Sequence, residues 1–476
     1  MTQNDDDGGD HNKDDGGWNG EDDNDDNNHR EDGFSQSQEK GGCGITGMDG
    51  VGAGDNNRRD LIRSMGASIL AAGMGIGTGK GVNAANNVGT ITNSNSRSYV
   101  QRFPAPFDPI LGKASFERET ILRKISDNVW ALEQNLSLGV LETPLRCVVV
   151  RLKNGGGLWV HAPLAPTEEF FRLVESCAGD GDGGNAGSVK HVVVPTYALE
   201  HKIFVRDALK RWTNAKLWTS PGQFSFPIQS VSESFVFGRK VDGVLSTSDR
   251  VDAAISSSSL PPPPWIDEIQ YETLSAGRFN IGGSPKSIYE TIFYHVSSKT
   301  LIVTDSLAQV NLTPPTLNTP QSLLIISKRS TNDDIPPDTP EYRQIGWEKS
   351  ALLISYFFPE HEELDPEAGF GVVTWTDGWH DNFSRLAGRL IVPPVVRTLL
   401  YQKPQKIEEW VERVCSADRK WDFVRIVPAH WDAPIVSSPD EFRKAFRFLK
   451  DDSIDAFPEK DLERGLSRIA NVAKML

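Results

Sequence analysis

Hydrophobic positions are sparse at the start of the chain and fall into short β-branched runs from about residue 125. Residues 146–152 (RCVVVRL) and 158–163 (LWVHAP) predict two strands around an Asn-Gly-Gly-Gly turn. Thr167 predicts the N-cap of a helix with acids in its first turn and Phe170, Phe171 and Val174 on its apolar stripe. Residues 189–194 predict a strand and 200–212 an amphipathic helix with Phe204, Val205, Ala208, Leu209 and Trp212 on one face. Residues 216–219 predict a further strand. Strands alternating with single helices predict an α/β layered domain. Residues 287–295 and 300–304 predict a hairpin turning at Ser297-Ser298-Lys299, and 421–427 a later strand. Ser438-Pro439-Asp440-Glu441 matches a capping box with proline at the first helical position, for a helix burying Phe442, Ala445, Phe446 and Leu449. Leu462, Leu466, Ile469, Ala473 and Leu476 predict a last amphipathic helix. Stretches at about 250–265 and 308–345, rich in Ser, Pro, Asn and Thr, read as insertions or long loops.

Charge changes the picture at one end. Residues 1–60 hold 17 acidic and 5 basic side chains, so most of the net charge of −15 sits there. Residues 1–57 lack the aliphatics needed to offset ordering entropy and read as a disordered acidic tail. The remainder is near neutral, which argues against a nucleic-acid-binding face. No apolar run reaches about 18 residues, so no stable membrane anchor is expected. Four cysteines, Cys43, Cys147, Cys177 and Cys415, form no CxxC pair, against both a disulfide framework and a thiolate zinc site.

Arg58-Arg59, a short apolar stretch over 65–76 and small residues at 82–85 follow the layout of an export signal, similar to a twin-arginine signal. The expected organisation is therefore a tail over 1–57, a signal-like segment and linker over 58–100, a domain over 125–450 and a C-terminal helix over 451–476. Asp180-Gly-Asp182 fails as a calcium loop because His191 stands where its closing glutamate belongs. Gly75 to Lys80 lacks the spacing and the preceding strand of a phosphate loop, and no G-x-S-x-G nucleophile elbow occurs.

Three apolar strands share one ending. Residues 191–194 lead to Glu200-His201, 301–303 to Thr304-Asp305, and 423–427 to His430. Ligands of α/β folds gather beyond the carboxyl ends of strands. Histidine with carboxylate suits zinc, iron or manganese. His295 and His161, each near a strand end, are candidates for a second shell or for replacement ligands. His361 and His380 lie in polar surroundings and read as surface residues.

That order of motifs resembles the metallo-β-lactamase superfamily. The place of its HxHxDH motif reads Thr196-Tyr197-Ala198-Leu199-Glu200-His201. The bridging aspartate matches Asp305 and the last histidine His430. Gly282-Gly283-Ser284-Pro285 stands where the superfamily has a Gly-His turn. LRCVVVRL…LWVHAPLAPT, VVVPTYALEHKIF…WTSPGQFSFP, FYHVSSKTLIVTDSL and RIVPAHWDAPI…EFRKAFRFL are similar to the family called domain of unknown function 4336, over residues 125–450. The resemblance implies an αββα sandwich. It also implies loss of the first metal site, whose ligands become Thr196, Ala198 and Gly283. The second site keeps competent ligands in Glu200, His201, Asp305 and His430, enough for one divalent metal (Zn, Fe or Mn).

Three functions then compete. One is a hydrolase of an ester, thioester or phosphodiester, in which metal-bound water attacks and Asp305 orients that water. The second is a metal-free, non-catalytic member serving as a plastid binding or assembly factor with a protein partner. The third is an iron-dependent redox relative. The arginine pair and the plant and algal family members point to a plastid, with the thylakoid lumen as the narrower expectation.

Overall fold

The computed structural model describes residues 96–101, 114–138, 140–153, 156–179, 188–223, 233–247, 262–281, 284–330, 332–355, 375, 378–399, 401, 403–451 and 457. The chain divides into Met1–Gly52 and Ala53–Leu476, and every described residue belongs to the second unit. The expected acidic tail, the arginine-pair segment, Gly283, His361 and the expected last helix from Leu462 lie outside the described residues.

β1 (Ser98–Gln101) pairs with β2 (Ala114–Glu117) as a short antiparallel ribbon. A seven-stranded sheet follows in chain order: β3 (Ile121–Ser126), β4 (Val129–Leu138), β5 (Leu141–Arg151), β6 (Leu158–His161), β7 (Val189–Val194), β8 (Lys216–Thr219) and β9 (Gly243–Val244). It is antiparallel through β6 and parallel from β6 to β9. The parallel connections carry α1 (Glu168–Ser176), α2 (Val205–Arg211) and α3 (Glu233–Phe237). The second sheet holds β10 (Ile269–Ile281), β11 (Ser284–His295), β12 (Thr300–Ile302), β13 (Arg425–Val427) and β14 (Ile435–Val436), with β12 and β13 parallel. Between β12 and β13 run α4 (Pro320–Ser327), α5 (Pro340–Ile354), α6 (Trp379–Leu386), α7 (Pro394–Leu399) and α8 (Pro404–Cys415); α9 (Pro439–Ala445) comes last.

The side-chain period of two builds four layers. Cys147, Val149, Val192 and Val194 face outward onto Phe170, Val174, Val205 and Trp212 of the first helical layer. Val148, Val150 and Val193 face inward, with Trp159, onto Phe293, Ile302 and Val427 of the other sheet. Leu301 and Ile426 face outward again, onto Trp410, Val414 and Phe442 of the second helical layer. This is the α/β layering expected from the alternation, in the αββα form that the resemblance implies. Trp159 anchors the interface, with edge-on rings of Phe293 at 5.1 Å and Trp265 at 5.8 Å. One such buried aromatic contributes about 1.5–3 kcal/mol. No helix among the described residues is long and apolar enough to cross a membrane.

Local signals hold at the caps. Thr167 Oγ1 accepts the Phe170 N–H at 3.1 Å, and Ser438 accepts the Glu441 N–H at the start of α9. Three expectations need correction. The segment 308–345 is not a loop throughout: α4 lies within it and α5 begins there. The helix expected from residue 200 starts at Val205, because 199–201 form a 3-10 turn. Of the strand expected over 421–427 only Arg425–Val427 pairs.

Two histidines outside the strand-end cluster are held neutral by burial. His191 Nδ1 accepts the Trp218 Nε1–H at 3.2 Å, a bond available only to the unprotonated nitrogen. Burial pushes His191 and His295 down to about 4 from 6.5. The unfolded chain therefore binds more protons than the folded one between these values. Their contribution to stability is whole above about pH 6.5 and drains away as the pH falls toward 4. The double variant His191→Gln, His295→Gln is expected to lose less stability between pH 7 and pH 4.5 than wild type. The difference is on the order of 1–2 kcal/mol, discounted for the water that still reaches His191. Urea midpoints at the two pH values measure it, and an equal fall in both proteins contradicts it.

Candidate metal centre

Beyond β7 the chain runs through Pro195 and Thr196 into the 3-10 turn Leu199–His201. The His201 N–H donates to Ala198 O at 3.3 Å, and this tight turn buries His201 while leaving Glu200 half-buried. Thr196 bridges to Glu290 on β11, and the Thr291 N–H donates to Pro195 O at 2.8 Å, so the turn is tied to the second sheet.

Parallel pairing brings the next two residues together. Ile302 of β12 stands beside Val427 of β13. Three residues beyond each lie Asp305 and His430, and the Ala429 N–H donates to Thr304 O at 3.2 Å between them. Asp305 Oδ1 lies 3.4 Å from His201 Nε2 and 3.4 Å from His430 Nε2. The two imidazole centroids are 5.3 Å apart. Glu200, His201 and His430 each bring a donor atom within 4.8 Å of the others.

Burial disfavours ionised Asp305, but His201 and His430 outweigh it and hold this carboxyl well below the usual range. Burial likewise lowers His201, and Asp305 outweighs that and raises it. His430 Nδ1 lies 3.2 Å from Pro144 O. The carbonyl can only accept, so Nδ1 donates to it, and Nε2 faces Asp305.

His161, at the end of β6, is buried, and neither ring nitrogen has a hydrogen-bond partner. Its ring stacks on Trp159 and meets Phe293 edge-on, and burial pushes it down to about 3, with His201 adding to the shift. His295 is elsewhere. It pairs with Thr300 at the start of β12, whereas Asp305 follows the end of that strand, and its ring bonds Ser298 Oγ at 2.7 Å. The end of one antiparallel strand adjoins the beginning of the next, so β12 separates His295 from Asp305. Thr196 is buried and Ala198 half-buried at the two leading motif positions. His380 lies on α6 and bonds Glu348 at 2.7 Å, far along the chain from this cluster.

Two residues escaped the sequence reading. Glu290 Oε1 accepts the N–H groups of Thr304, Asp305 and Ser306 at 2.9, 3.2 and 3.2 Å. Burial, then Asp305, pushes Glu290 up to about 7. The signal was a carboxylate in phase with Ile288, Ile292 and Tyr294. Arg146, in phase with Val148 and Val150, was the other.

In fold the chain is similar to a metallo-beta-lactamase from Pontibacter korlensis, at 12% identity over 69% of this chain and 99% of that one, with a TM-score of 0.33. It is also similar to a fragment of a putative diflavin flavoprotein from Nostoc sp. PCC 7120, at 9% identity over 71% and 100%, TM-score 0.33. A third likeness is rubredoxin oxygen:oxidoreductase from Desulfovibrio gigas, at 10% identity over 69% and 60%, TM-score 0.33. No curated protein matches the chain. Residues 126–448 match one family across most of the folded part, and the chain belongs to that family, described as Domain of unknown function (DUF4336).

Proposed function

We propose that this protein is a hydrolase of an ester, thioester or phosphodiester that holds one divalent cation (Zn, Fe or Mn) with Glu200, His201, Asp305 and His430. One observation carries the reading: His201 Nε2 and His430 Nε2 converge on the same Asp305 oxygen, each at 3.4 Å. Nitrogen and oxygen atoms so placed can share a cation between them. The spacing also fits the edge of a tetrahedron whose centre is about 2.0–2.1 Å from nitrogen and oxygen ligands, which is about 3.4 Å. His161, buried at the end of β6 with both nitrogens unpartnered, supports the reading as an uncommitted donor.

A divalent cation there would supply Lewis acidity and a water of lowered pKa, near ~7. The protein's own part is positional. Asp305, kept ionised by its two histidines, accepts a hydrogen bond from the attacking water and aims it. Glu290 fixes the backbone on which Asp305 sits. Thr196 and Ala198 offer no imidazole, which favours one cation over two, and also favours a second reading as a metal-free plastid binding or assembly factor. In either reading the arginine-pair segment over 58–100 serves export, with the domain over 125–450 as cargo.

Elemental analysis of the full chain, purified without chelator, tests this. About one Zn, Fe or Mn per chain is expected, lost in both His201→Ala and His430→Ala. Absence of metal from wild type after supplementation overturns the hydrolase reading and leaves the binding-factor one. Iron with a visible absorption band moves the reading to redox chemistry.

A further inference from the structure

Three consecutive residues of β5, in the first sheet, hold His430 of the second. Pro144 O accepts the ring Nδ1–H at 3.2 Å, and Leu145 bridges the His430 backbone. Arg146 does the most. Its Nη1 donates to Pro428 O and lies 3.5 Å from His430 O, while its Nη2 donates to Trp431 O at 2.6 Å. The guanidinium thus grips carbonyls on both sides of His430. It is itself fixed by Glu133, its direct neighbour across the β4–β5 pairing, whose Oε1 accepts from Nε at 3.0 Å and Nη2 at 2.8 Å. Both side chains are buried. The gripped loop needs holding, because Trp431 sits at φ +56°, a left-handed conformation that a bulky side chain rarely adopts.

We propose that Arg146, oriented by Glu133, is a positioning residue for His430 and sets the metal affinity of the cluster; this rests on the metal-site reading above. A planar fork reaches two carbonyls and a carboxylate at once, and a lysine ammonium cannot. Outer partners of this kind alter metal affinity about 10–100-fold.

The test uses Co2+ alone as the probe, on the full chain, reading both its dissociation constant and its visible ligand-field band. Arg146→Lys is expected to weaken Co2+ binding at least about tenfold and to change the band at saturation, as the His430 donor is displaced. Glu133→Gln, a milder change should the lysine variant fail to fold, is expected to weaken binding severalfold. Glu175→Gln is the control. It disturbs a comparably buried carboxylate that bonds Arg211 at 3.1 Å and Trp212 at 3.2 Å in the outer helical layer. It is expected to lower the melting temperature and leave Co2+ affinity and band unchanged. Wild-type affinity and band in folded Arg146→Lys and Glu133→Gln overturn the inference and spare the metal site. Absence of Co2+ binding in wild type overturns both.

Discussion

Glu290→Leu is expected to destabilise the protein by about 3–5 kcal/mol, whereas Glu290→Gln stays within about 1 kcal/mol of wild type. One carboxylate oxygen accepts three successive N–H groups, from Thr304 to Ser306. Leucine leaves all three buried without an acceptor, at about 1–3 kcal/mol for each. Relief of the carboxylate's own burial penalty offsets part of that loss. Glutamine keeps an oxygen in the same place and discards the charge that Asp305 opposes. Urea unfolding of both variants measures the contrast. Equal losses would mean that the charge, rather than the acceptor, matters at this position.

The second large effect reverses a general rule. Glycine to alanine within an exposed helix gains about 1 kcal/mol. Gly346 lies inside α5 where α4 crosses it, and a Cβ there would stand 2.0 Å from Leu323 O and 2.9 Å from Leu323 Cα. The obstacle is backbone, which cannot rotate aside. The helices must separate, opening the cluster around Trp347, Leu352 and Phe383. Gly346→Ala is expected to cost about 2–3 kcal/mol. Tryptophan fluorescence during urea denaturation reports it directly, and a midpoint at or above wild type would show that α4 yields freely.

The two faces of this region explain what was legible in the sequence. Strands β5 to β8 sit in a sheet covered on both sides, so their β-branched runs are unbroken and visible. The order of strand ends selects Glu200, His201, Asp305 and His430; the last two lie together because β12 and β13 are parallel neighbours, and the Thr196–Glu290 bridge ties the Glu200-His201 turn to the same sheet. Nothing in composition announces that pairing, since more than a hundred residues separate the strands. Helix α5 escaped for another reason. It is buried on nearly every side over 346–353, including Glu348 and Lys349, so no apolar stripe stands out. Its start was readable all the same: Thr339-Pro340, like Thr319-Pro320 before α4, is a cap followed by proline. Arg146 and Glu133 were hidden because each looks like a solvated charge until the two are known to face one another across β4 and β5.

That long excursion between β12 and β13 also sets a schedule for the newborn chain. With synthesis at about 5–20 residues per second, His201 and His430 leave the ribosome on the order of 10–50 seconds apart. Through that interval Phe293 and Ile302 emerge to face Val148, Trp159 and Val193, but Val427 does not, and Arg146 and Glu133 have no loop to grip. The nascent protein therefore spends much of its synthesis with an incompletely covered apolar face, a natural stretch for chaperone engagement. On the proposed reading, a cation would be taken up only after His430 has emerged.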